Sequence, residues 1–252
     1  MKTNSAKHTL ILFFVFTFLL SACGANTAKE PEENLLTVEE STNQFMENLK
    51  RLNLDFFNEH SDNYVSSERN WLGITTRKDY QVFDDLLQPF HGNTKRYQAA
   101  HRVSESLMKN LAWEITDVRE ENEQAEIVMK ISNIDMAKAM GYYEISLVEN
   151  MIAGEGTGVF QFVKDITGLV RSVANMDNLI LAMEKLSPQD ISTISVTLKA
   201  YQEDGIWKFH LNDDFINAFM GNINSSDYSE EIEQKIEELT LQYEEKMSGL
   251  FD

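Results

Sequence analysis

The sequence has few of the residues that most often cross-link a fold or bind a metal. Cys23 is the single cysteine among 252 residues, so an intramolecular disulfide is excluded and core packing must stabilise the fold. Four histidines lie beyond the N-terminal segment, without HExxH or other close metal-ligand spacing: His60, His91, His101 and His210. A calcium loop of the DxDxDG type is also lacking. The sequence therefore predicts neither a metal site nor a cofactor.

Positive charge is also scarce. The chain has 22 Lys and Arg residues against 41 Asp and Glu residues, and its formal net charge is −19. Because phosphate backbones repel such an acidic chain, nucleic acid is excluded as an expected partner. The same repulsion disfavours contact between anionic lipid headgroups and the body of the protein. Contact with a membrane is therefore expected to run through an attached lipid alone.

Motifs for nucleotide binding and for catalysis are missing as well. The glycine cluster Gly154 to Gly158 has no following GK[ST] and falls between two predicted helices, so we interpret it as a connection and not as a phosphate cradle. Asp213 and Asp214 are neighbours in sequence, which does not establish the geometry of an acid–base pair. One of them is expected to cap the helix that follows.

The apolar run Leu10–Leu20 is too short to span a bilayer as a helix, which takes about 20 apolar residues. Lys2 and Lys7 precede it, and this order matches a secretory signal peptide. The segment Leu20-Ser21-Ala22-Cys23 resembles the lipobox of bacterial lipoproteins. The resemblance implies that the Cys23 sulfur receives a diacylglycerol, and two acyl chains anchor a protein stably. The alternative is an ordinary signal peptide with an incidental cysteine.

The N-terminal region is therefore predicted to have two parts. Residues 1–22 form a lipoprotein signal peptide, and residues 23–36 form a flexible tether because they are small or charged and show no apolar period. On this hypothesis the protein lies on the extracytoplasmic face of the cell membrane, and the membrane is its partner through the lipid on Cys23.

The first part of the domain is predicted to be helical. Thr37 and Glu40 have capping-box spacing, and apolar residues then recur at helical spacing: Phe45, Leu49, Leu52 and Phe56. Further helices are predicted at 78–88, ended by Pro89, and at 95–111.

Alternation of apolar and polar residues predicts two β-hairpins. The first has a strand over 125–131 that follows a polar turn at 119–123. The second has strands over 194–200 and 206–209, and Asp204-Gly205 supplies the turn chemistry. We expect these hairpins to share one antiparallel sheet that buries four side chains: Ile127, Ile131, Val196 and Leu198.

A helical insertion over 136–185 separates the two hairpins. Its apolar stripes predict an antiparallel helical pair, joined at the glycine cluster. Methionine is enriched there, and its flexible thioether suits adaptable binding surfaces, although core packing is the other interpretation. The candidate partner or ligand surface has six residues: Met136, Met140, Phe162, Ile166, Met176 and Met183. Residues 221–252 are predicted to form an acidic amphipathic C-terminal helix capped by Asp227.

This order of elements, the lipobox and the turn Glu203-Asp204-Gly205-Ile206-Trp207-Lys208 resemble bacterial lipoproteins with an NTF2-like (cystatin-like) domain. The likeness covers residues 37–220. It implies an α+β fold in which a curved antiparallel sheet packs on helices. NTF2-like domains also include isomerases and dehydratases, so the resemblance decides no function.

The expected function is a non-catalytic binding or accessory module of the cell envelope. Its expected partner is an envelope protein or a small apolar ligand. The alternative is an enzyme or a small-ligand carrier that uses the cone inside the sheet. A cone filled by aromatic residues such as Trp113, Trp207 and Phe209 would favour the binding module.

Overall fold

Helices and antiparallel strands follow one another along the chain in a mixed α+β fold, as predicted. The structure, a computed structural model, describes residues 36–88, 94–153, 173–225 and 228–248. Its helices are α1 (Val38–Lys50), α2 (Leu54–Glu59), α3 (Asp84–Leu87), α4 (Lys95–Met108), α5 (Met136–Ala153), α6 (Val173–Glu184), α7 (Asp213–Phe219) and α8 (Glu230–Ser248). Its strands are β1 (Tyr64–Arg69), β2 (Thr75–Tyr80), β3 (Ala112–Glu121), β4 (Gln124–Ile134), β5 (Ile191–Glu203) and β6 (Ile206–His210).

Several predicted features lie outside the described residues. They are the signal peptide, the anchor at Cys23, most of the tether, the glycine cluster, the cap at Asp227, and two members of the candidate surface, Phe162 and Ile166.

The first helix begins as predicted but ends early. Thr37 and Glu40 form the capping box, with the Glu40 amide donating to the Thr37 hydroxyl at 3.2 Å and the Thr37 amide donating to the Glu40 carboxylate at 3.0 Å. At Leu52 the backbone turns to a left-handed conformation, with φ at 54°, and α2 starts as a separate helix. The prediction of one continuous helix through Phe56 is therefore wrong. The apolar spacing concealed the break because both helices bury side chains in the same core.

The four-stranded sheet has the order β3-β4-β5-β6, and all its pairings are antiparallel. Both predicted hairpins are confirmed. Each turns on two residues with positive φ, Asn122-Glu123 and Asp204-Gly205, which is the conformation of a tight two-residue hairpin. The four side chains predicted to be buried are at most 4% exposed: Ile127, Ile131, Val196 and Leu198.

A second sheet, which was not predicted, consists of β1 and β2. It occupies part of the segment predicted as a helix over 78–88, and that prediction is wrong. Strand β2 runs to Tyr80, and only the single turn of α3 is helical there. Neither strand has a buried residue, so the sequence lacks the alternation that marks a half-buried strand.

Helices and aromatic side chains cover the four-stranded sheet. Helix α7 packs on β4 and β5, and helix α1 packs on β3. Helix α7 is capped by the Asn212 side chain, which accepts from the Phe215 amide at 2.8 Å, so the prediction of a cap at Asp213 or Asp214 is wrong. Helix α4 is confirmed, and it ends at Met108.

The described part of the predicted insertion forms helices α5 and α6, and the chain from Lys185 to Asp190, which leads into β5, is not helical. Helices α5 and α6 pack against each other, and α8 packs on α5 through Ile232 and Leu239. The two helices approach closely at Gly141, where a Cβ atom would lie 2.6 Å from the Ile232 side chain. The predicted C-terminal helix is present as α8, although it begins at Glu230 and not at residue 221, and acidic residues lie along its exposed face.

Candidate functional site

The described members of the candidate partner or ligand surface are buried. Met136, Met140 and Met183 belong to the main hydrophobic core, where a partner would not reach them in this conformation. Met176 is 1% exposed and belongs to a second, smaller cluster, where it also forms part of the wall of a cleft. Packing within the domain is thus the role that the structure gives these side chains.

The space against the four-stranded sheet is filled by aromatic rings. Phe45 stacks on Phe209 at 4.5 Å and on Phe57 at 5.2 Å between ring centroids, and Phe215 lies 5.3 Å from Phe219. All five phenylalanines are fully buried. This filling occupies the place where a cone would otherwise open for a substrate.

Of the two other residues expected to fill a cone, one is buried. Trp207 is 4% exposed within the main core. Trp113 is half-buried, packs against the edge of that core, and donates its indole N–H to Asn43 Oδ1 at 2.9 Å. The aromatic filling is therefore made chiefly by Trp207 and the phenylalanines.

An apolar cleft of about 440 Å³ lies beside helix α4. Four parts of the chain that are far apart in sequence form its walls: the segment from β2 into α3, helix α4, the described part of α6, and α7 with the residues after it. The apolar lining consists of Val82, Phe83, Leu86, Ala100, Val103, Leu107, Met176, Ile216, Met220 and Ile223. Ligand pockets in proteins typically measure roughly 300–1,000 Å³, so the cleft has the size of a small-molecule site.

Phe83 shapes one wall of the cleft through an unusual backbone. Its φ is 59°, a left-handed conformation that bulky residues rarely adopt, and it precedes α3 directly. Its ring packs edge-on against Phe57 at 5.9 Å and stacks near Phe219 at 6.2 Å. Phe83 therefore packs on the aromatic core and also lines the cleft.

The rim of the cleft is charged. Arg96 on α4 pairs with Asp85 on α3, with 2.6 Å between guanidinium nitrogen and carboxylate oxygen, and both side chains remain partly exposed. Because exposed ion pairs contribute little to stability, this pair is free to exchange partners with a polar group of a ligand. Asp84 is committed elsewhere, since it accepts from the Gln88 side chain at 2.7 Å and pairs with Arg77 at 3.3 Å.

Two carboxyl groups with shifted pKa values have structural partners, whereas the buried Tyr143 hydroxyl, whose pKa is raised by burial, has no hydrogen-bond partner among the described residues. Burial raises the pKa of Glu144 on α5, and the Tyr228 hydroxyl, which hydrogen-bonds this carboxylate, opposes that shift. The ammonium of Lys138, 2.7 Å from Asp190, lowers the pKa of that carboxyl, and the Ser187 amide assists by donating to it. These pairs tie α5 to the residues just before α8 and just before β5, which is a packing role.

A histidine–carboxylate pair also lies at the surface. His210 Nδ1 is bonded to Asp62, whose other oxygen accepts from the Leu211 amide at 2.8 Å. The neighbouring Ser61 hydroxyl donates to the Phe57 carbonyl at 2.6 Å and is thereby turned away from a nucleophile's role. Across the described ranges, no group of three or more His, Cys, Asp or Glu side chains could hold a metal ion.

Sequence reasoning missed both the cleft and the exposed tip of the β1–β2 hairpin. The cleft has no local pattern, because its walls meet only in the folded chain. The hairpin tip does have one: Trp71, Leu72 and Ile74 form a short apolar run inside a polar segment. In the part of the chain that is described, no helix has the combination of length and apolar character that crossing a bilayer takes.

Comparison with known proteins identifies no relative. No protein-family model, no curated protein and no solved structure matches this chain. The likeness to NTF2-like lipoproteins therefore rests on the residues quoted for it, and function must be argued from the geometry of the domain.

Proposed function

We propose that this protein is a lipid-anchored module of the cell envelope that binds a ligand without catalysing a reaction. The observation that carries the proposal is the apolar cleft beside α4, with its charge-paired rim. The anchor is the diacylated Cys23, and the protein lies on the extracytoplasmic face of the membrane. We further propose that the domain is NTF2-like, which the antiparallel sheet with helices packed on it supports.

Binding is favoured over the alternative of an enzyme or carrier that uses a cone. Aromatic side chains occupy the space against the sheet, and the shifted carboxyl groups of Glu144 and Asp190 are bonded to Tyr228 and Lys138. The cleft lies at the edge of this filled core, where Val82 and Leu107 of the main core adjoin the smaller cluster of Leu86, Ala100 and Met176. A ligand in the cleft would contact the edge of the main core without displacing its stacked phenylalanines.

The lining indicates the chemistry of the ligand. Ten apolar side chains favour a small apolar molecule or the apolar side chains of an envelope protein. Arg96 and Asp85 at the rim can each take a polar group of opposite charge once their mutual pair opens. An apolar body with one charged end is thus the ligand that best fits the cleft.

Filling the cleft tests the binding proposal. Ser104 lies in the wall of the cleft, whereas Gln98 is exposed on the same helix. Anilinonaphthalene sulfonate, an apolar anion that fluoresces in apolar surroundings, is the probe. Ser104→Phe should raise its dissociation constant about tenfold or more, equivalent to about 1.4 kcal/mol, because the ring takes the space of the probe. Gln98→Phe should bind the probe as the wild type does.

Thermal melting of both variants is the control for folding. If folded Ser104→Phe and Gln98→Phe bind the probe equally well, the cleft is not the binding site.

Metabolic labelling tests the anchor separately. Cells given an alkyne fatty acid should label the wild-type protein, and Cys23→Ala should stay unlabelled because the acceptor sulfur is gone. Equal labelling of the two proteins, or labelling of neither, would rule out the anchor and leave the binding proposal standing.

A further inference from the structure

The tip of the β1–β2 hairpin exposes three large apolar side chains in a row. Trp71 is 91% exposed, Leu72 59% and Ile74 54%. Single exposed apolar residues are common, but a tryptophan grouped with two aliphatic neighbours on a projecting arm marks a contact site.

Several backbone groups of the tip are paired within it. Asn70 Oδ1 accepts from the amides of Leu72 and Ile74, both at 3.0 Å. The Gly73 amide donates to the Asn70 carbonyl, and the Asn70 amide donates to the Ile74 carbonyl, both at 2.9 Å. Internal pairing of backbone groups is what a segment requires in order to enter an apolar medium.

The arm that carries the tip is fixed at its base. The fully buried Asn63 side chain accepts from the Val82 amide at 2.9 Å, and Arg77 pairs with Asp84 on α3 at 3.3 Å. The rings of Tyr64 and Tyr80 meet edge to face at 5.9 Å. Strands of six residues extend about 20 Å at 3.3 Å per residue, so the tip is held at that order of distance from the base.

Charge distinguishes the arm from the rest of the protein. Residues 64–80 contain three basic side chains, Arg69, Arg77 and Lys78, and two acidic ones, Glu68 and Asp79, so their formal charge is 3 − 2 = +1, against −19 for the whole chain. At physiological salt the Debye length is about 8 Å, shorter than the arm. Repulsion between the acidic body and an anionic surface is therefore largely screened where the tip makes contact.

We infer that the tip formed by Trp71, Leu72 and Ile74 inserts into the headgroup region of an anionic lipid bilayer. Tryptophan favours that interface, and basic side chains such as Arg69 favour anionic headgroups. Three side chains bind a membrane weakly by themselves. The inference therefore rests on the proposed lipid anchor, which would keep the tip close to the bilayer. Lipid and hairpin together would give the domain two points of attachment and hence a fixed orientation.

Quenching by brominated lipids tests the insertion. The lipidated full chain is incorporated into vesicles of phosphatidylcholine and phosphatidylglycerol in equal amounts, with bromine on the acyl chains. The difference in emission between the wild type and Trp71→Phe isolates Trp71 from Trp113 and Trp207. This difference signal should lose intensity with brominated lipid and shift to shorter wavelength.

A matched control moves the exposed tryptophan to another surface. Leu241 on α8 is 57% exposed, and Leu241→Trp in the Trp71→Phe background should show no quenching. Equal quenching at both positions would overturn the inference, because it would indicate adsorption of the whole domain. Quenching at neither position would also overturn the inference. A photoreactive residue placed at position 71 provides a second test, and crosslinking of this residue to protein in intact cells would overturn the inference.

Flotation of the same samples separates this inference from the proposed anchor. Chains that float with the vesicles while Trp71 stays unquenched would retain the anchor and lose the insertion. Chains made with Cys23→Ala that no longer float, but show quenching of Trp71 when vesicles are in large excess, would show that the tip inserts without the lipid.

Discussion

At the scale of single residues, two glycines share a backbone conformation and differ in their surroundings. Gly73 and Gly221 both have φ at 75°, where an L-residue is strained. A Cβ on Gly73 would meet nothing within 4 Å, whereas one on Gly221 would lie 2.1 Å from the Ile134 carbonyl oxygen. The Gly221 carbonyl also accepts from the Met136 amide at 2.8 Å, at the junction of β4 and α5.

This pair predicts two different costs for the same substitution. Gly73→Ala should lower the free energy of unfolding by about 1 kcal/mol, the strain of a left-handed residue alone. Gly221→Ala should lower it by about 3 kcal/mol or more, because the backbone at the start of α5 must shift as well. Urea denaturation measures both values, and a Gly221→Ala effect no larger than that of Gly73→Ala would contradict the close approach seen at Ile134.

At the scale of elements, the sequence predicted strands correctly where the alternation of apolar residues and the residue types of the turn agree. Both long hairpins combine alternating burial with turn residues that accept positive φ, as at Asp204-Gly205, and both are present. Strands β1 and β2 lack that agreement: they bury no residue, so only the tip and cross-strand pairing define them. Over residues 78–88 the spacing of apolar residues was typical of a helix, and it led to the wrong prediction of a helix there.

Breaks and caps were harder to predict than the elements themselves. Helix α1 ends where Leu52 takes a positive φ, and leucine is not a residue type that indicates such a conformation. The apolar period also continues into α2, so it does not mark the break. The cap of α7 was predicted at Asp213 or Asp214, but the preceding residue Asn212 takes the role because its side chain reaches the Phe215 amide. Such choices depend on single torsion angles, which apolar periodicity does not report.

At the scale of the whole molecule, the candidate site could not have been located from the sequence. The cleft joins Phe83, Val103, Met176 and Ile223, which only the folded chain brings together. The methionines of the insertion were recognised as a group, but three of them serve the main core. The insertion is therefore an integral part of the domain, and its removal would take Met136, Met140 and Met183 out of that core.

The formal charge of −19 is also a property of the whole molecule, and it predicts a dependence of stability on salt. Self-repulsion of a highly charged chain destabilises its compact state. Raising the ionic strength from about 0.01 M to about 0.15 M shortens the Debye length from about 30 Å to about 8 Å. We expect the melting temperature to rise by roughly 2–4 °C, which corresponds to about 1 kcal/mol for a domain of this size.

A variant with reversed charges on α8 identifies repulsion as the cause. Glu237, Glu244 and Glu245 are exposed, and the ion pair between Lys235 and Glu238 leaves them uninvolved. Changing all three to lysine brings the net charge nearer to zero, so this variant should melt at a higher temperature than the wild type in low salt and respond less to added salt. Equal salt responses in the two proteins would show that repulsion within the acidic chain is not the cause of the rise.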